Sequence, residues 1–245
     1  RLHWEEKPLF HVLNNLLRAF KQCLPKFSGM KKVKLSYCVL GYIILAYLNS
    51  FIANNISLPE GVTPKLFDVG HYLFPEISTF YPDILFFSLL IYFIFRWRNN
   101  HDLLKAFFLI CSSLFFIRLL TFPVTQIPPA FNEADCFKPS ADGPWIFFTF
   151  YSSSTCVDYM FSAHTFHLTI ISLITLYNSK NYFEQILIPL SAIINLMIII
   201  AARMHYTADI VIGFVLSILI YSIYELYMRN RTLQKLGKLI NEENE

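Results

Sequence analysis

Along this chain, long apolar blocks alternate with short breaks rich in charge, proline or glycine. Six blocks read as membrane-spanning helices, which take about 17–25 apolar residues each. They cover residues 35–56, 84–97, 106–123, 161–177, 186–202 and 207–228. The second is short, so the Tyr81-Pro82 step before it is expected to be partly immersed. Ahead of the spans, Leu9, Val12, Leu13, Leu16, Leu17, Phe20 and Leu24 recur at helical spacing, with Arg18, Lys21 and Lys26 interspersed. That pattern predicts an amphipathic helix over residues 9–27. A basic helix of this kind lies along an anionic membrane face or packs beneath the bundle, and the pattern leaves both open.

Composition sharpens the class. Of 245 residues, 55% are hydrophobic, 17% aromatic and only 15% charged. A soluble domain carries about 25% charged residues, so a soluble globular chain is excluded. The expected organisation is a cytosolic amphipathic helix and basic linker over 1–34, a six-helix membrane domain over 35–228 and a cytosolic tail over 229–245. No signal peptide is expected, because charges are scattered through residues 1–34 and no small-residue cleavage site follows an apolar core. The net charge of +3 says little, but its distribution says more. Residues 1–34, the 96–105 break and the C-terminal tail are basic, whereas 57–83 and 127–157 carry mostly Asp and Glu. Lys and Arg concentrate on the cytoplasmic side, so both termini are expected inside and the two acidic loops outside. Of the five cysteines, Cys136 and Cys156 share the outer loop, where an oxidising compartment permits a disulfide if geometry allows. Cys38 and Cys111 fall in spans and are expected to pack; Cys23 is expected reduced.

Three places hold residues able to do chemistry. The first is His205-Tyr206-Thr207-Ala208-Asp209, where spacing of four lets the imidazole and carboxylate meet on one helix face. A carboxylate beside an imidazole fixes its tautomer and yields an oriented nucleophile or base. The second is Asp158 through Thr165, entering the fourth span, with His164 as a second imidazole and Ser162 and Thr165 as small donors for phosphate oxygens. The third is Arg118, within the third apolar block. An Arg there costs about 2.5–3.5 kcal/mol on insertion scales unless it reaches the interface or is paired. A bidentate contact to phosphate would offset that cost, as would a salt bridge to Asp158 or another carboxylate. Arg203 either holds phosphate or marks the interface, and His167, one turn below His164, is expected to pack or hydrogen-bond. The topology brings all three places to the same membrane face. Two imidazoles and a carboxylate suffice for phosphoryl transfer through a covalent histidine intermediate. They are also the donors of a zinc site, but the Arg118 charge would repel a cation, so no metal and no other cofactor is expected.

These residues carry a family resemblance. Cys156-Val157-Asp158, then Ser162-Ala163-His164-Thr165, resembles the Cys-Gly-Asp-x-x-x-Ser-Gly-His-Thr motif of the sphingomyelin synthase family. His205-Tyr206-Thr207-Ala208-Asp209 is similar to its His-Tyr-Ser/Thr-x-Asp motif, and Arg118 through Thr125 to its Arg-x-x-Thr-x-x-Val-Thr stretch. The resemblance covers residues 60–228 and implies an all-α, six-span membrane protein related to the type-2 phosphatidic acid phosphatase-like fold. It implies transfer of a phosphocholine or phosphoethanolamine headgroup from a glycerophospholipid to ceramide, releasing diacylglycerol, on the lumenal or exoplasmic face of the Golgi, plasma membrane or endoplasmic reticulum. Inositol also fits the motif set. Carried over, His164, His205 and Asp209 form the catalytic set. Arg118, Asp158, Ser162, Thr165, Tyr206 and Arg203 bind substrate. Asp158 orients His164 or meets the headgroup cation, and the roles of the two imidazoles can be exchanged. The expected partners are the two lipids and the bilayer, with no nucleic acid, and a homo-oligomer is compatible with this reading. Val157 and Ala163 stand where the family has glycines, and Arg203 stands where it has His. The outer loop is short, leaving Asp142 as an approximate match to a further carboxylate. The family's first motif is only partly matched, around Leu66-Phe67-Asp68 and His71.

Two other classes compete. A phospholipase C or lipid phosphatase would use the same site with water as acceptor. The longer signature of the type-2 phosphatases, a Ser-Arg pair upstream of the second His and a Lys-rich first motif, is not found here. A non-enzymatic lipid carrier or channel subunit would use the polar cluster only for binding.

Overall fold

The computed structural model describes residues 33–55, 66–125, 127, 128, 130 and 160–243. The amphipathic segment 9–27, Cys23, Cys136, Cys156, Asp142, Asp158 and most of the 127–157 loop lie outside them. The chain divides into two units, one of Lys32–Tyr221 and one of Arg1–Lys31 with Ser222–Glu245. Among the described residues every regular element is a helix: α1 Leu35–Asn55, α2 Val69–Leu73, α3 Phe80–Trp97, α4 His101–Thr121, α5 Ala163–Asn178, α6 Tyr182–Ala201 and α7 Thr207–Glu243.

Polar side chains at the breaks set where these helices begin. Asn100, Ser162 and Asn181 each accept a hydrogen bond from a backbone N–H in the first turn of α4, α5 and α6. Residues 84–97 grow into α3 by four positions because proline is tolerated in a first turn, where its missing N–H has no helical partner anyway. The segment expected as a tail after residue 228 continues as helix to Glu243.

Among the described residues, five helices are long and apolar enough to cross a membrane: α1 through Ala53, α3, α4, α6, and α7 through Gln234. The fourth expected span is α5, with 16 residues. At 1.5 Å per residue it is about 24 Å long, short of the hydrocarbon thickness of about 30 Å. Where six spans were expected, the described residues give five helices of spanning length and this shorter apolar one. Its residues Thr165–Ile171 are all buried. Tyr42 of α1 meets His167, Phe86 of α3 meets His164, Phe115 of α4 meets Phe166, and α6 packs along its length. α5 is wrapped by its neighbours, while α1, α3, α6 and α7 turn large apolar side chains outward, as lipid-facing helices do.

The connectivity gives the bundle two distinct ends. α3 and α6 are joined at one end, where Glu184 accepts from Arg96 and Tyr92. At the other end lie Asp83, Arg118, His164 and the 203–209 turn. There Ala53 and Phe122 form a small core with Ile52, Leu119 and Met160 packed on it. Cys38 and Cys111 are buried free thiols. Two glycines mark close approach at the same end. A Cβ on Gly213 of α7 would sit 3.3 Å from the Thr165 Cβ of α5. A Cβ on Gly70 of α2 would overlap Thr207 Oγ1 and come 2.6 Å from Ile200 Cγ2.

Gly70→Ala is therefore expected to lower stability by about 1–3 kcal/mol through overpacking, measured by thermal unfolding in detergent. Gly41→Ala, with nothing within 4 Å, is expected to leave it unchanged or slightly raised.

Candidate active site

The start of α7 carries the first site motif. Its first N–H groups have no partner within the helix and need acceptors. Asp209, in the first turn, accepts from the Tyr206 N–H at 3.1 Å, the reach-back half of a capping box. Asp68, just before α2, accepts from the Thr207 N–H at 2.8 Å and the Thr207 hydroxyl at 2.7 Å. The same carboxylate caps α2 by accepting from the His71 N–H at 2.9 Å. The His71 imidazole then donates from Nε2 to the His205 carbonyl at 3.0 Å and lies beside the Tyr206 ring. Tyr206 donates its hydroxyl to the Pro128 carbonyl and accepts from the Leu66 N–H. The 205–207 turn is thus held from both sides. Within it, His205 Nδ1 lies 3.6 Å from Asp209 Oδ2, with both side chains buried.

The turn is reached through a left-handed residue. Arg203, at φ 56°, ends α6: its N–H bonds to the Ile200 carbonyl and the Met204 N–H to the Ile199 carbonyl. This is a Schellman motif with Arg at the position that favours Gly. A side chain there costs about 1–2 kcal/mol. Arg203 donates from Nη2 to the Phe74 carbonyl at 3.0 Å, and its buried Nη1 has no partner among the described residues.

The second motif begins α5. The Ser162 N–H bonds to the Asp209 carbonyl at 3.4 Å, so the starts of α5 and α7 are tied backbone to backbone. Ser162 is fully buried and its hydroxyl caps α5 by accepting from the Thr165 N–H at 3.3 Å. Thr165 is also fully buried, with its Cβ against Gly213. Phe161, just before, has φ 30°, and its carbonyl accepts from Arg118 Nε at 2.9 Å. Arg118 is only 2% exposed, with its guanidinium 5.6 Å from the Phe122 ring centroid. Its described hydrogen bond thus goes to a carbonyl held in a strained turn. His167 donates from Nδ1 to the Ala163 carbonyl at 2.7 Å and accepts from the Tyr42 hydroxyl at 2.8 Å, a buried hydrogen-bonding role.

His164 has a carboxylate that the spacing of its own motif does not reveal. Its Nε2 lies 3.1 Å from Asp83 Oδ1, on the first turn of α3, 81 positions away. Asp83 reads in the sequence as one more acidic residue of an outer segment. Asp68 and His71 were visible there only as fragments of a partial motif. Asp158 lies outside the described residues.

Residues 155–226 match the model of the family described as PAP2 superfamily C-terminal. The chain is 27% identical over 202 residues to phosphatidylinositol:ceramide inositolphosphotransferase 2 of Arabidopsis thaliana, covering 71% of this chain and 64% of that protein. It is 26% identical over 200 residues to phosphatidylinositol:ceramide inositolphosphotransferase 3 of the same plant, covering 71% and 68%. It is 28% identical over 200 residues to phosphatidylinositol:ceramide inositolphosphotransferase of Oryza sativa subsp. indica, covering 71% and 60%. The chain thus spans less than two thirds of the first of these relatives. The resemblance read from the motifs agrees with these matches: residues 155–226 are similar to the PAP2 superfamily C-terminal family, and most of the chain is similar to plant proteins named as ceramide inositolphosphotransferases.

Asp68 lies outside the spans. Burial pushes its carboxyl up, but the hydrogen bonds from Thr207 and His71 outweigh burial and hold it below the ordinary 3.8. A carboxyl lowered in the folded state stabilises fully above its unfolded value and loses that contribution as pH falls through the folded value. Asp68→Asn is expected to cost about 1.5–3 kcal/mol at neutral pH. The gap to the unaltered protein is expected to close in acid below pH 3.8, read from unfolding curves at several pH values.

Proposed function

We propose, from a chain with a PAP2 superfamily C-terminal domain and homology to plant ceramide inositolphosphotransferases, that this membrane protein moves a phospho-headgroup from a glycerophospholipid to ceramide. The observation that carries this reading is the tie between the starts of α5 and α7, which sets His164 and His205 at one end of the bundle. His205 attacks phosphorus with Nε2, since its Nδ1 faces Asp209. The N–P bond forms, the bond to the glycerol oxygen breaks, and His164 gives that oxygen its proton, releasing diacylglycerol. The primary hydroxyl of ceramide then gives its proton to His164 and attacks phosphorus, and the N–P bond breaks. A covalent histidine splits one hard displacement into two easier ones.

Arg203 serves the phosphate, which supports its place at a backbone position that disfavours a side chain. Arg118 braces the turn before His164 and adds positive charge beside the phosphoryl oxygens. Ser162, Thr165 and Tyr206 act by holding the two helix starts, consistent with their buried contacts. Phosphatidylinositol is the donor supported best. The relatives are named for it, and a guanidinium two residues from the nucleophile suits a neutral polyol better than the choline or ethanolamine cation. The proposed topology keeps both termini cytosolic and this end of the bundle lumenal or exoplasmic, in keeping with the basic and acidic segments.

The decisive experiment supplies labelled ceramide to the purified protein with one donor lipid at a time. Phosphatidylinositol is expected to yield inositol phosphoceramide. Product from phosphatidylcholine alone would overturn the donor, and headgroup release to water alone would identify a hydrolase. His164→Ala and His205→Ala are each expected to lower transfer at least about 10³-fold with expression preserved. Either one retaining substantial turnover would sink the assignment. A strong chelator is expected to leave transfer unchanged, whereas inhibition reversed by zinc would bring a metal into the reaction.

A further inference from the structure

The mechanism above leaves the buried carboxylate of Asp83 unused. Asp83 stands on the first turn of α3, a position where the helix dipole favours negative charge. Its side chain is 10% exposed, and its Oδ1 lies 3.1 Å from His164 Nε2. One turn on, the Phe86 ring packs edge to face with His164, the ring centroids 4.6 Å apart and the planes at 70°. Phe86 and Asp83 therefore hold the imidazole by its side and by one nitrogen. A carboxylate accepts and does not donate, so the nitrogen facing it carries the hydrogen.

We propose that Asp83 is the positioning residue of His164, fixing the Nε2–H form so that Nδ1 alone exchanges protons with the lipid oxygens. This rests on the transfer mechanism proposed above. In the first half-reaction Nδ1–H gives its proton to the departing glycerol oxygen as His205 Nε2 bonds to phosphorus. In the second, Nδ1 takes the proton of the ceramide hydroxyl as that oxygen bonds to phosphorus and the N–P bond breaks. The Nε2 proton stays on the Asp83 side throughout, and Asp83 remains ionised. The two imidazoles thus work through opposite nitrogens. His205 turns Nδ1 to a carboxylate four residues along its own chain and reacts at Nε2. His164 turns Nε2 to a carboxylate on a neighbouring helix and reacts at Nδ1.

The test compares leaving groups in the full-length protein. Diacylglycerol needs a proton to leave, whereas 4-nitrophenolate does not. The probe is the 4-nitrophenyl ester of the phospho-headgroup, followed as a first-turnover burst without ceramide. Asp83→Asn can donate its amide hydrogen to Nε2 and so favours the opposite tautomer. It is expected to lower kcat on the natural donor about 10²–10⁴-fold, as loss of general acid–base catalysis does, and to leave the burst within about threefold of the unaltered protein. KM is expected to move by no more than about threefold, since ground-state binding is untouched. Asp83→Glu, which keeps the charge, is expected to recover part of the lost kcat. Natural-donor turnover within about threefold of normal would overturn the proposal. Loss of the burst in step with turnover would overturn it too, by showing a structural role alone. His205→Ala is expected to abolish the burst, and a burst surviving there would refute the histidine intermediate itself, whatever Asp83 does.

Discussion

The backbone N–H groups at the start of α7 must be satisfied next to an apolar bundle where water is scarce, and two carboxylates do it. Asp209 takes the Tyr206 N–H from inside the helix, and Asp68 takes the Thr207 N–H and hydroxyl from outside. An unsatisfied polar group in such surroundings costs several kcal/mol, so these bonds decide where the helix begins. Because Asp68 also caps α2, and His71 of α2 donates to the His205 carbonyl, the capping requirement carries the His205 imidazole with it. Asp209 has two duties, since the oxygen that accepts from Tyr206 is also the one nearest His205 Nδ1. The device that starts the helix also faces the His205 imidazole.

Around this point the bundle separates tasks by depth. Charged side chains collect at the two ends. Between them, α5 is wrapped in apolar and aromatic contacts, with His167 satisfied by a carbonyl and a tyrosine hydroxyl. Strain collects at the same end as the imidazoles. Phe161 and Arg203 are the non-glycine residues with positive φ among those described, and each adjoins one motif. Both are held by an arginine: Arg118 grips the Phe161 carbonyl, and Arg203 fastens its own side chain to Phe74. Backbone strain of about 1–3 kcal/mol persists where surrounding contacts over-determine it. Here those contacts are the ones that aim the two motifs.

This arrangement changes the meaning of several residues that the motifs alone single out. Ser162 and Thr165 look like phosphate donors in a list of small polar residues near a histidine. In the folded chain they face inward, one capping α5 and the other lying against Gly213. Tyr206 likewise spends its hydroxyl on two backbone groups. In the transfer proposed above, that leaves the imidazoles and the arginines to face the phosphate, with positioning and electrostatic stabilisation doing most of the work.

Because burial in lipid demands long apolar runs with internally satisfied backbones, the hydrophobic pattern alone determined the all-helical membrane class and the approximate place of the six long helices, though not α2 or the run of α7 past residue 228. The spacing of four also pointed to the His205–Asp209 pair, but not through one helix face: His205 lies in the turn before α7, and it is that turn which sets its imidazole 3.6 Å from Asp209. The hydrophobic pattern did not determine that the fourth helix is wrapped by its neighbours, because apolar residues facing lipid and apolar residues facing protein look alike in sequence. Nor could it couple Asp83 to His164 or Asp68 to Thr207, which stand 81 and 139 positions apart. Such pairs exist only once helices pack, and Gly70 and Gly213 mark where the backbones must come close enough for packing to bring them into reach.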